Sequence, residues 1–254
     1  MHLLNLFELS LTNFILILII ILVAATVRGF NGFGFSAISV SGLAFILPTI
    51  EIVPIILILE VAISIFMIPY IWNKINWKFV VQILLGIIIG SPIGLYLLKI
   101  LSSSITHLLI CISIIFFSIL LMRGYSNKKL DNKFARIFTG SISGTLNGLS
   151  TLGGLPVALL LLVTSIQPNV IRGSLAALFF LTDAYAFILS FFGGIVDMTT
   201  IYRSVPLIFV LPLGVFIGNK FFVKSKEATY RKVVFYFLIM ISFFGIIRIY
   251  LENF

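Results

Sequence analysis

The sequence predicts an all-α protein: a polytopic transmembrane bundle of about eight hydrophobic segments, arranged as two inverted repeats that each open with a broken or re-entrant helix. Three observations predict it. Apolar residues fill 61% of 254 positions and charged residues 10%, with a mean hydropathy of +1.24, which is more apolar surface than a soluble domain of this size can hide. The apolar runs are continuous rather than alternating and approach the roughly 20 residues that a helix needs to cross a ~30 Å hydrocarbon core, so they select helix over barrel strand. Two of the runs are interrupted by glycine-rich stretches that each carry Asn-Gly, a turn signal, one in each half of the chain.

The segments, in order, are Phe14 to Leu47, Ile52 to Trp72, Phe79 to Leu98, Ile105 to Met122, Phe134 to Val163, Leu175 to Val196, Val205 to Phe222 and Val233 to Tyr250. The first is too long for one straight span and is interrupted over Arg28-Gly29-Phe30-Asn31-Gly32-Phe33-Gly34-Phe35-Ser36; the fifth is interrupted over Asn147-Gly148-Leu149-Ser150-Thr151-Leu152-Gly153-Gly154. Pieces of about eleven residues, such as Ala37 to Leu47 or Arg136 to Leu146, reach only ~16 Å as helix, about half the core. Each interrupted segment is followed by three ordinary ones, which reads as an internal repeat. One integral domain therefore covers 1–254, with a first repeat over 1–125, a basic connection over 123–136 and a second repeat over 134–254. The run from Phe14 to Val23 before Ala24 and Ala25 has some signal-peptide character, but the residues ahead of it include Glu8 and no Lys or Arg, so cleavage is not expected.

The net charge of +9 sits in short connections, so it speaks to membrane orientation rather than to nucleic acid. Lys74 and Lys78; Arg123, Lys128, Lys129, Lys133 and Arg136; and Lys220, Lys224, Lys226, Arg231 and Lys232 form three clusters. All three fall on one side if segments one and five turn back, leaving Lys99, Arg203 and Arg248 on the other. If every segment crosses, the second and third clusters oppose each other. The positive-inside rule favours the first arrangement, in which the two halves are inverted.

Broken backbone at membrane depth is tolerated only inside protein or along a cavity, because an unsatisfied amide in lipid costs several kcal/mol, on the order of 4–8 in alkane. The two breaks are therefore the candidate site. Helix resumes near Ser36 and near Leu155-Pro156, where Pro suits a first turn, and each restart is expected to offer free N–H groups and a positive dipole end to an anion. Gly32, Gly34, Gly148, Gly153 and Gly154 let a ligand approach backbone, while Asn31, Ser36, Asn147, Ser150 and Thr151 can donate to oxyanion oxygens. The alternative reading of the glycines is turns and close helix contacts. Arg28, at the first break, and Arg172, at the start of the sixth segment, can supply the positive charge, although Arg172 also suits an interfacial position.

Glu60 and Asp183 are carboxylates well inside spans. Either pairing with an arginine or taking up a proton that couples to movement of the anion accounts for them. Gly86, Gly90 and Gly94, with Gly140, Gly144 and Gly148, have the four-residue spacing of close-packed membrane helices and are read as packing, Gly148 excepted because it belongs to the break. Cys111 lies alone in a hydrophobic run and reads as core. His2 and His107 have no partners at metal-ligand spacing, and no nucleophile elbow or phosphate loop is present, so neither an enzyme, a metal nor a cofactor is expected.

At the breaks the residues resemble a known family. Val27-Arg28-Gly29-Phe30-Asn31-Gly32-Phe33-Gly34-Phe35 looks like the first motif of the TauE/SafE family of bacterial membrane transporters, and Asn147 to Pro156 resembles the motif that opens that family's second half, with Leu155 where a second proline often stands. Gly86 to Gly94 with Ser91-Pro92, and Val53-Pro54 followed by Leu59-Glu60, extend the resemblance over the chain. It implies a secondary transporter of small sulfur-containing or organic anions such as sulfite or a sulfonate, multi-pass in the bacterial cytoplasmic (inner) membrane. Its expected partners are the anionic substrate and the lipid bilayer, not nucleic acid. An anion channel or a membrane subunit of a larger complex is the alternative, and the oligomeric state is left open.

Overall fold

A computed structural model describes residues 11–123, 132–163 and 167–224, together with Tyr236, Ile239, Phe243 and Ile246. Helices α1 (Leu11–Asn31) and α2 (Phe35–Leu43) come first, then α3 (Thr49–Ile71), α4 (Trp77–Ile100) and α5 (Ser103–Arg123). The second half holds α6 (Lys133–Ser150), α7 (Gly154–Val163), α8 (Pro168–Phe192), α9 (Met198–Ile208) and α10 (Leu211–Lys224). The described residues are helical with no strand. The eighth expected segment, Val233 to Tyr250, lies outside the described residues apart from those four helical positions, as do His2, Glu8, Lys128, Lys129, Lys226, Arg231, Lys232 and Arg248.

Among the described residues, five helices are long and apolar enough to cross a membrane: α1, α3, α4, α5 and α8; α9 and α10 make a sixth if their 46° bend is taken within one span. The bend follows from Pro212, which has no N–H to give Ile208 and whose ring excludes that carbonyl. Among the described residues, the fifth expected segment is the one that does not span by this measure, since α6 opens on Lys133 and Arg136 and α7 has 10 residues. Helices begin earlier than hydropathy alone indicates. Asp197 caps α9 by accepting from Thr200 N–H at 2.7 Å, and Asn76 and Asn132 cap α4 and α6 in the same way.

The breaks are asymmetric hairpins. Their first arms are long, about 31 Å for the 21 residues of α1 and about 27 Å for the 18 of α6; only the return arms, 9 and 10 residues, have the half-span length expected of both. Gly42 of α2 lies against Ile20 of α1, so α2 folds back along it.

Glycine contacts fix the chain directions. Gly86, Gly90 and Gly94 meet in turn the backbone near Ile137, Ser141 and Thr145, so α4 and α6 run parallel with no room for a Cβ between them. Gly214 and Gly218 meet Ala25 and Phe30 in the same sense, making α1 and α10 parallel. Each break helix thus packs on a helix of the other half. Ser174 Oγ accepts from Asn76 N–H at 2.9 Å at one end of the bundle, and Lys99 donates to the Gly193 carbonyl at the other. Hairpin α1–α2 therefore enters from the Lys99 end and hairpin α6–α7 from the Lys74 end. Lys74, Lys78, Arg123, Lys133 and Arg136 gather at that second end, whereas Arg203 and Lys99 share theirs with Glu51 and Asp197.

Candidate functional site at the paired breaks

Both breaks turn on left-handed backbone. Gly32 (φ 80°) and Gly34 (φ 97°) reverse the chain between α1 and α2, where glycine carries no Cβ penalty. Thr151 (φ 59°) does so after α6; its N–H returns to the Asn147 carbonyl at 2.8 Å and its hydroxyl donates to the Ser150 carbonyl at 2.7 Å. A β-branched residue there costs on the order of 1–3 kcal/mol, strain of the kind that gathers at functional sites.

The two turns meet around a small pocket of ≈ 10 Å³, about the space of one water centre. Gly34 and Ser36 line it from the first break, Thr151 and Gly154 from the second, and Arg28, Glu60, Asn147 and Asp183 supply its polar groups. Arg28 is fully buried. Its Nη1 donates to the Gly32 carbonyl at 2.8 Å, its Nη2 donates to Ser64 Oγ at 3.2 Å and lies 3.3 Å from Glu60 Oε2, and its guanidinium stacks 4.2 Å over the Phe179 ring. Among the described residues its Nε has no hydrogen-bond acceptor. Ser36 Oγ donates to Glu60 Oε1, and Asn147 Nδ2 donates to Asp183 Oδ1 at 2.9 Å.

The two helix restarts differ as donor sites. In α2 the first helical bond runs from Ile38 N–H to the Gly34 carbonyl, so the N–H groups of Phe35, Ser36 and Ala37 have no helical acceptor. In α7, Leu155 N–H bonds the Leu152 carbonyl and Pro156 has no N–H, which leaves Gly154. The sequence treats the two restarts as equivalent; proline chemistry makes the first the richer.

Other expected site residues are placed nearby without lining the pocket. Gly148 packs against Ser91 and Leu95 of α4, and the Gly153 carbonyl accepts from Ser143 Oγ at 2.6 Å. Ser150 donates to the Leu146 carbonyl at 2.9 Å. Pro156 is buried in the first turn of α7. Arg172 packs its stem on Gly32, donates to Asn219 Oδ1 at 2.9 Å and to the Gly29 carbonyl, and so joins α8 to the end of α1 and to α10. Asn31 closes α1, and its side chain lies outside the described residues. Ser64 and Phe179 escaped the sequence reading. Each lies four residues from an acid, Glu60 or Asp183, on the same helix face, and that spacing is the signal that would have found them.

Toward the Lys99 end, Val53, Leu57, Leu95, Leu98, Leu149 and Ala186 form a separate apolar cluster. Leu57 is one turn and Val53 two turns from Glu60, which puts this cluster over the pocket. Beyond it opens a vestibule of ≈ 700 Å³ lined by Glu51, Lys99, Asp197, Thr200, Tyr202 and Arg203. There Arg203 Nη1 pairs with Glu51 Oε2 at 2.5 Å. Hydrogen bonds from Thr200 hold the Asp197 carboxyl below the ordinary aspartate range.

Residues 17–244 match the family model described as "Sulfite exporter TauE/SafE". A curated protein of Cupriavidus necator, "Probable sulfite/organosulfonate exporter TauE", is 24% identical over 226 residues, covering 85% of this chain and 86% of that one. No solved structure matches significantly.

Proposed function

The chain belongs to the TauE/SafE sulfite exporter family, and from that premise we propose that it is a secondary transporter that moves small sulfur-containing or organic anions, such as sulfite or a sulfonate, across the bacterial cytoplasmic membrane. Export is the direction carried by the name of its relative, and we propose the same here, coupled to protons through Glu60 and Asp183. The observation that carries the reading is one pocket in which a buried arginine, the donor-rich start of α2 and both chain breaks converge. Arg28 is the electrostatic anchor, and α2 supplies backbone N–H groups to oxyanion oxygens.

Opposed entry of the two hairpins, and the exchange of their long arms between halves, support two inverted repeats that rock about the pocket to expose it to one side at a time. The small volume of the pocket and the apolar layer above it favour a carrier over a channel, which needs a continuous water path.

The test is flux in proteoliposomes containing the purified chain, with labelled sulfite, a sulfonate and a simple carboxylate, each with and without a proton gradient. Saturable flux of a sulfur oxyanion that changes with the gradient is expected, and loss of that flux in Arg28→Gln with folded protein still in the membrane. Wild-type flux in that variant refutes the assignment of Arg28, and absence of flux for every anion refutes the transporter reading.

A further inference from the structure

We propose that the Glu60 carboxylate is a built-in occupant of the anion seat, so that substrate binds only as Glu60 takes up a proton and gives up Arg28. The inference rests on the transporter reading above and states how its site is regulated.

Apart from Arg28 Nε and the first backbone N–H groups of α2, the side-chain donors suited to grip an oxyanion at this pocket hold internal acceptors. Ser36, in the first turn of α2, donates to one Glu60 oxygen, and Arg28 Nη2 pairs with the other. Asn147 donates to Asp183, and the hydroxyls of Ser150 and Thr151 donate to backbone carbonyls. A carboxylate has two oxygens on one carbon, much as a sulfite or sulfonate presents two of its three oxygens, and Glu60 places its pair against the arginine and the helix start. Glu60 is 3% exposed and the space beside it takes about one water, so no room is left for a second anion on the same donors.

Charge decides what displacement requires. Arg28 is the cation of this pocket, and Glu60 and Asp183 already face it. A substrate anion added beside an ionised Glu60 would set two negative charges against one guanidinium in a water-poor cavity, with the Asp183 carboxyl alongside, and buried charge is tolerated only when paired. The balanced exchange is Arg28⁺·Glu60⁻ plus anion plus H⁺ giving Arg28⁺·anion plus neutral Glu60. The proton comes from water on whichever side the pocket opens, and neutral Glu60 keeps its bond to Ser36. From α1 Glu60 faces Arg28 and from α8 Asp183, while α2 and α7 hold no titratable side chain. On the other helices around α3, Arg172 is tied to Gly29 and Asn219, and Arg203 to Glu51. His107, Lys74, Arg136 and Lys220 sit in the end turns of their elements, and Cys111 is two turns into α5.

The test is calorimetric titration of the purified full chain with methanesulfonate, whose charge is fixed between about pH 5.5 and 8.5, and with sulfite, in pairs of buffers that differ in ionisation enthalpy. One proton taken up per methanesulfonate is expected, with the wild-type Kd for methanesulfonate rising with pH by up to about tenfold per unit. Glu60→Gln, which keeps an acceptor for Ser36 and removes the charge, is expected to bind with a Kd constant within about twofold over that range and tighter than wild type at the alkaline end. No proton uptake by the wild type overturns the inference without any variant. So does a Glu60→Gln protein that keeps the wild-type slope, or that binds nothing while the wild type binds. If neither protein binds either anion at any pH, the transporter reading itself falls, and this inference with it.

Discussion

Replacing Arg28 and Glu60 singly and together separates what the pair does for folding from what it does for the substrate. At 3.3 Å between Nη2 and Oε2, two unit charges attract by about 5 kcal/mol at an effective dielectric of ~20, against which both ions lose their hydration. Arg28→Met removes the cation and leaves Glu60 buried with only Ser36 and, across the pocket, Asp183, a cost of about 3–5 kcal/mol. Glu60→Leu leaves Arg28 with the Gly32 carbonyl, Ser64, the Phe179 face and Asp183, so its cost is expected to be smaller. The double variant buries neither ion and should recover most of the loss, giving a coupling energy of about 2–4 kcal/mol. Fluorescence-monitored thermal unfolding in detergent reads the ranking, and anion flux in proteoliposomes reads the function. The expected result is a double variant that folds nearly as well as the wild type and carries no anion. A double variant no more stable than Arg28→Met would refute the pairing, and one that transports would refute Arg28 as the anchor.

Three further outcomes follow from local geometry. Gly90→Val places a side chain on the Ser141 carbonyl between α4 and α6 and should abolish the monodisperse folded species on size exclusion, whereas Gly194→Ala, with φ 68° and nothing within 4 Å, should cost only about 1–2 kcal/mol from its left-handed backbone. Asp197→Ala removes the α9 cap and should cost about 1 kcal/mol. Because the folded carboxyl titrates below its unfolded value, that contribution is complete above the ordinary aspartate pKa of about 3.9 and disappears as pH falls through the lower, folded value. Thermal unfolding of wild type and variant should therefore differ at pH 7 and converge in acid.

Much of this was legible in the sequence because a bilayer punishes irregular backbone. Breaks at Arg28–Ser36 and Asn147–Gly154 are costly in lipid, so their presence alone marked the pocket, and the glycine spacing of Gly86, Gly90 and Gly94 marked a close helix contact. Which helix lay across that contact was not legible, since small-residue stripes carry no partner identity. Polar helix starts were missed for the same reason that hydropathy works elsewhere. Arg203 and Arg172 lower the local average, yet are buried with partners 152 and 143 residues away at Glu51 and Gly29. The roles of the donors also depended on tertiary structure: sequence offered Ser36 and Asn147 to a substrate, and folding gives them to Glu60 and Asp183.

The glycine contacts constrain how such a pocket can open. Helices whose backbones touch through glycine cannot slide without clash, so α4 moves with α6 and α1 moves with α10. The apolar layer over the pocket is built differently. Leu57 comes from α3, Leu95 and Leu98 from α4, Leu149 from α6 and Ala186 from α8, and side-chain contact of this kind can part and reform. Opening toward the vestibule therefore requires α3 to leave the α4–α6 unit. In a background with Cys111→Ser, the pair Leu57→Cys and Leu149→Cys should stop flux when oxidised and restore it on reduction, provided the Cα atoms come within the ~7 Å that a disulfide tolerates. The pair Gly94→Cys and Thr145→Cys is unsuitable as a control because a Cβ at Gly94 has no space; Gln82→Cys with Arg136→Cys, which joins two side chains already in contact at the Lys74 end of α4 and α6, tests the same unit. Flux that persists through the first cross-link, or ceases with the second in folded protein, would refute α4–α6 as a rigid unit against which α3 moves.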